Sequence, residues 1–277
     1  MPASSLSRSP DARGSGIPGI LWVPAGIALA FLVLPVVSLL VQAPWRTLGQ
    51  VVVGSDVGQS LALSLGAGAA ATVVSIVFGV PLAWVLARST GWNPAIRRLL
   101  RAFVTVPLVL PPVVGGIALV LLLGRTGLIG QFLYRWFDFT IPFTTPAVII
   151  SESFVAMPFL VLSVEGALRG ADRRYEDAAA TLGASRWMIF RRVTLPLVAP
   201  GILAGAVLSF ARALGEFGAT ITFAGDFPGV TRTMPIAAYI ALETDPGAAY
   251  VIAVILLLVS VAVLFLLRDR WIGGLTS

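Results

Sequence analysis

A chain of 277 residues that is 57% hydrophobic and 12% charged, with a mean hydropathy of +0.95, is too apolar for a soluble domain, where about 45–50% and about 25% are usual. It has no Cys and no His, and all 19 basic residues are Arg, which excludes disulfides, Cys- or His-ligated metal sites, Ser-His hydrolysis and a P-loop with its Lys. A net charge of +6 and a pI near 10.9 would suit nucleic acid, but Arg also gathers in the cytoplasmic loops of membrane proteins, and its placement follows that second pattern.

Residues 1–19, rich in Ser, Pro, Gly and Arg, read as a disordered cytoplasmic tail. A helix needs about 20 apolar residues to cross the hydrocarbon. Such runs predict six spans: Ile20–Val41, Leu61–Ala87, Phe103–Leu123, Ala147–Leu168, Val198–Phe223 and Ala248–Leu267. The expected fold is an all-α polytopic membrane protein. Its first helix and an external loop occupy 20–57, the main transmembrane domain 58–267, and a cytoplasmic C-terminal tail 268–277. The first run is longer than the h-region of a signal peptide, and no clean cleavage site follows it.

With the N-terminus inside, fourteen Arg residues fall on the cytoplasmic side. Only Arg46, Arg125, Arg135 and Arg232 fall outside, and Arg212 lies within a span. Both termini are therefore expected in the cytoplasm. Trp22, Trp45, Trp84 and Trp271 fall near span ends, where indole favours the interface. Ser60, Ser64, Gly68 and Thr72 give the second span a small-residue stripe for close helix contact, and Gly201 and Gly205 do the same in the fifth. Pro107, Pro111, Pro112, Gly115 and Gly116 predict a kinked third span, either bordering a cavity or bent for packing alone.

About 29 residues separate the fourth and fifth runs. Asp172 is placed to cap a helix whose first turn holds Glu176 and Asp177, favourable at the positive end of the dipole. The helix is expected to end at Gly183. Ser185 then caps a second short helix through Arg192, which Pro196 stops.

The pattern Asp177-Ala178-Ala179-x-x-x-Gly183, followed by Val193-Thr194-Leu195-Pro196, resembles the EAA loop of binding-protein-dependent ABC importer permeases. Asp177 stands for the family's Glu and Val193 for its Ile, and the adjacent Glu176 leaves open which carboxylate carries the family role. The resemblance implies a type I ABC importer transmembrane domain of six helices. It also implies a cytoplasmic coupling loop in which Glu176, Asp177, Ala178, Ala179, Gly183, Ala184, Ser185, Arg186, Leu195 and Pro196 meet a separate ATPase subunit.

Ser209–Thr220, the stretch Phe223–Gly229 with Thr231–Ile236, and Val106–Gly116 resemble the oxyanion permeases, more closely the molybdate than the sulfate branch. Asp226 and Phe227 stand where molybdate permeases commonly carry Asn and Ile. This implies a homodimer in the cell membrane, with two ATPase subunits, an external or periplasmic oxyanion-binding protein and molybdate as substrate; sulfate, thiosulfate and tungstate remain alternatives. It implies no enzyme activity, cofactor or metal in this chain, and no nucleic acid.

Arg212 and Glu216, four apart in the fifth span, are candidates either for a translocation path or gate or for a structural salt bridge. They would also suit an ion-coupled secondary transporter, which leaves the loop pattern unexplained. A membrane scaffold would need neither feature.

Overall fold

The computed structural model describes residues 19–54 and 56–272; the tail expected over 1–19 falls almost wholly outside them, as does residues 273–277 of the C-terminal tail. Two units are distinct, Met1–Ala43 and Pro44–Ser277. The first contains α1 (Trp22–Gln42), an uninterrupted apolar helix of 21 residues that carries Pro35. At about 1.5 Å per residue it is long enough to cross a bilayer.

The second unit runs α2 (Leu48–Gly54), α3 (Val57–Arg88), α4 (Pro94–Val109), α5 (Pro112–Leu123), α6 (Gly130–Phe137), α7 (Thr145–Gly170), α8 (Arg174–Thr181), α9 (Arg186–Ile189), α10 (Leu195–Leu214), α11 (Gly218–Phe223), α12 (Met234–Thr244) and α13 (Pro246–Ile272). Among the described residues, five helical stretches are long and apolar enough to span a membrane, and the bent pair α4 and α5 makes a sixth if counted as one.

The centre of this unit is α7, packed between α3 and α10. Leu160, Val161 and Val164 of α7 are fully buried against Ala83 and Leu86 of α3 and Val198 of α10. Small residues permit this approach, as the Gly201 and Gly205 stripe in α10 predicts. A methyl group added at Gly79 would sit 2.9 Å from Leu160, and one at Gly201 would sit 2.3 Å from the Ala167 methyl. Ser60, Ser64 and Gly68 are buried, and Ser64 Oγ accepts a hydrogen bond from the Met234 backbone N–H at 2.7 Å. Thr72 is only partly buried, its hydroxyl turned back to the Gly68 carbonyl.

Three sequence expectations change. The third span is broken rather than kinked: α4 and α5 meet at 117°. Each residue that precedes a proline is pushed out of the α region, and here Leu110 precedes Pro111, which precedes Pro112. Both Leu110 (φ −65°, ψ 130°) and Pro111 (φ −54°, ψ 132°) are extended. Gly115 and Gly116 then serve packing. A methyl group at Gly116 would lie 2.8 Å from the Ala219 carbonyl oxygen, so α5 and α11 touch almost backbone to backbone.

The second change is at the loop end. Pro196 does not stop a helix; α9 continues into α10 through a π turn at Phe190–Thr194. A proline ring clashes with the carbonyl four residues earlier in a regular helix. The wider turn, closed by Leu195 N–H on the Phe190 carbonyl, accommodates Pro196 inside the first turn of α10. The third change is in the fifth span, which ends at Leu214; Gly215–Phe217 are non-helical before α11 begins.

Candidate functional site

The segment after α7 forms a braced projection. Asp172 Oδ1 accepts the Arg174 N–H at 2.9 Å, from one residue before the N-cap position, which Arg173 occupies. The end of α8 is a Schellman turn: Ala184 N–H bonds the Ala179 carbonyl at 3.1 Å and Gly183 N–H the Ala180 carbonyl at 3.0 Å. Gly183 takes φ +81°, a left-handed conformation that suits glycine. Ser185 Oγ then accepts Met188 N–H at 3.3 Å and starts α9.

The two adjacent carboxylates divide the work. Glu176 is turned inward, where Oε1 pairs with Arg88 at the end of α3 and accepts the Thr194 hydroxyl at 2.8 Å. It therefore ties α8 to α3 and to the π turn below α10. Asp177 is exposed. Of the other predicted residues, Ala179, Ala184 and Leu195 are half-buried, while Ala178, Gly183, Ser185, Arg186 and Pro196 are exposed. The outer surface also carries Tyr175 and Leu182, and Leu182 is 88% exposed. A large apolar side chain left that open on a short braced helix pair suits a protein partner. Behind the projection, toward α3, lies a cavity of about 840 Å³ bordered by Trp84, Trp187 and Phe190, with Phe190 edge-on to Trp84 at 5.0 Å.

Arg212 and Glu216 do meet, but not along one continuous helix. Arg212 is in the last turn of α10 and Glu216 lies beyond its end, with Nη2 to Oε2 at 2.5 Å. Glu216 Oε1 accepts the Ala219 N–H at 2.9 Å, at the start of α11. The cation thus sits where the carbonyl end of α10 favours it, and the anion where the amide end of α11 does. Glu216 is 1% exposed and Arg212 28%.

Two acidic residues escaped the sequence reading. Glu165 is buried in α7 and pairs with Arg101 and Arg169. Glu152, also in α7, is 1% exposed, has no hydrogen-bond partner for Oε2 among the described residues, and lies near enough to Glu216 to feel its charge. The signal was available: each is a carboxyl within an otherwise apolar run, a placement that is rare without a purpose. At the opposite end of the unit, Asp226 takes a two-pronged bond from Arg232 at 2.5 and 2.9 Å. The bond holds the guanidinium's pKa above its ordinary value. It also gives a structural reason for Asp at that position.

The family described as "binding-protein-dependent transport system inner membrane component" matches residues 79–273. The chain belongs to that family. As an inner-membrane permease component it is multi-pass and not itself an enzyme. It is 47% identical over 251 residues to the molybdenum transport system permease protein ModB of Mycobacterium tuberculosis, a match that covers 91% of this chain and 93% of that one. It is 36% identical over 238 residues to the sulfate transport system permease protein CysT of Salmonella typhimurium, covering 84% of each. The permease fold is shared with a chain of a bacterial ABC transporter involved in import of the acidic polysaccharide alginate. There the TM-score is 0.71 at 18% identity, covering 93% of this chain and 95% of that one.

Proposed function

We propose that this permease carries molybdate inward across the cell membrane, paired with a second copy of itself, two ATPase subunits and an external oxyanion-binding protein. The observation that carries the coupling assignment is the projection α8–Gly183–α9. It leaves Tyr175 and Leu182 exposed and is locked to two spans through Glu176. A partner that moves this projection moves α3 and α10 with it. The substrate assignment rests on the 47% identity to the mycobacterial molybdenum permease, against 36% to the sulfate protein. In this reading Arg212 and Glu216 are an architectural clamp across the α10–α11 break.

The deciding experiment is uptake by proteoliposomes holding the chain, its ATPase and its binding protein. Molybdate is expected to enter only with ATP, and excess sulfate is expected to compete poorly. Sulfate entering as fast as molybdate moves the chain to the sulfate branch. Uptake driven by an ion gradient without ATP makes it a secondary transporter.

The orientation proposed is α8 and both termini in the cytoplasm. Arg88, Arg97, Arg98, Arg101, Arg169 and Arg173 cluster at the α8 end of the bundle, which supports this by the positive-inside rule. No native Cys competes for label. Ser185→Cys, exposed at the start of α9, is expected to react with a membrane-impermeant maleimide in inside-out vesicles and to stay unlabelled in intact cells. Labelling from outside reverses the topology.

A further inference from the structure

Arg97, Arg98 and Arg101 of α4 converge with Arg169, at the end of α7, and Arg173, just beyond it, on a cavity of about 360 Å³. Among the described residues, no carboxylate lines it. Glu165, buried behind it, pairs with Arg101 and Arg169 and so fixes two of the five guanidinium groups. Arg97, Arg98 and Arg173 form no ion pair among the described residues. Five like charges repel one another, and a cluster held together this way is stabilised when an anion sits among them. Arginine's planar fork matches the oxygens of a phosphate group better than an ammonium does.

The opposite face of α4 identifies the source of that phosphate. Ile96, Leu99, Phe103 and Val106 recur at helical spacing and are 48–67% exposed. The helix therefore presents a guanidinium face to the cavity and an apolar stripe on the face turned away from it. This is the arrangement of an interfacial helix beside anionic lipid. We propose that this pocket binds the phosphate of an anionic phospholipid headgroup, the apolar stripe on the far side of α4 seating the helix in the leaflet so that the pocket lies at headgroup depth. The bound lipid pins α4 to α7 and braces the 117° break that leads into α5.

The test uses the full chain purified with its ATPase subunits. It is placed in nanodiscs of phosphatidylcholine containing phosphatidylglycerol, and retained lipid is counted by native mass spectrometry. Wild type is expected to retain phosphatidylglycerol over phosphatidylcholine. Arg97→Gln/Arg98→Gln/Arg173→Gln, which spares the pairs to Glu165, is expected to lower that preference by roughly tenfold to a hundredfold. The corresponding triple Lys variant keeps the charge and is expected to retain most of the preference. It also decides the matter, with wild type, if the Gln variant does not assemble. Millimolar inorganic phosphate or molybdate is expected to leave the lipid in place. Equal retention of both lipids by wild type overturns the proposal, as does an unchanged preference in the Gln variant. Displacement of the lipid by either free anion overturns it too, and assigns the pocket to a soluble oxyanion.

Discussion

Arg212→Gln is expected to lower the thermal stability of the purified permease by the largest margin of any single charge change in the spans. It leaves Glu216, 1% exposed, with its carboxylate facing no cation. Breaking a buried pair from one side costs about 3–5 kcal/mol, because the remaining charge stays desolvated. Glu216→Gln is expected to cost less, about 3 kcal/mol. Arg212 keeps partial exposure, and the Gln carbonyl still accepts the Ala219 N–H at the start of α11. The double variant Arg212→Gln/Glu216→Gln strands neither charge and is expected to recover most of the loss. Thermal unfolding in detergent, followed by size-exclusion chromatography, checks all three. If instead every variant is as stable as wild type while ATP-driven uptake falls, the pair serves the permeation path and not the architecture.

Gly183→Val is expected to abolish ATP-driven uptake while leaving the spans inserted. An added Cβ meets no atom within 4 Å, so the damage begins in the backbone. At φ +81° an L-residue pays about 1–2 kcal/mol, and a β-branched one more. Two short helices joined by one Schellman turn relieve that strain most readily by giving up the turn, which dissolves the outward surface. Gly183→Asn is expected to keep much of the activity, because Asn tolerates the left-handed region. Glu176→Ala attacks the same device from the other side. With the ties to Arg88 and Thr194 gone, ATP hydrolysis is expected to continue while uptake per ATP falls. Parallel assays of phosphate release and molybdate uptake separate the two outcomes. Equal activity of the Val and Asn variants would show that the left-handed turn is dispensable.

The sequence makes legible what depends on length and local chemistry. The predicted run Ala147–Leu168 lies within the observed Thr145–Gly170, because a stretch of that apolarity has no other stable form in lipid. Gly183, Ser185 and Asp172 are equally local, each satisfying backbone groups within a few residues. What stays hidden is pairing across distance. Arg88 and Glu176 are 88 residues apart, and Arg101 and Glu165 are 64 apart. No periodicity announces either contact, so Glu176 and Asp177 could not be told apart. The C-terminal end of the fifth span is hidden for a different reason. Apolar residues resume after Glu216 and carry the run to Phe223, while the backbone turns at Gly215, where Glu216 and Arg212 satisfy two helix ends at once.

The π turn at Phe190–Thr194 fixes an angular phase. A regular helix advances about 100° per residue, so one additional residue absorbed in a single turn offsets everything beyond it by roughly that angle relative to everything before it. The outward face of α9 and the buried face of α10 are registered to each other by this single offset, and Thr194, hydrogen-bonded to Glu176, holds it in place. The joint between the projection and the span therefore works as a keyed shaft. Force applied to α9 reaches α10 with a defined direction of rotation, and removing one residue between Phe190 and Thr194 would leave both helices intact and turn the shaft to the wrong tooth.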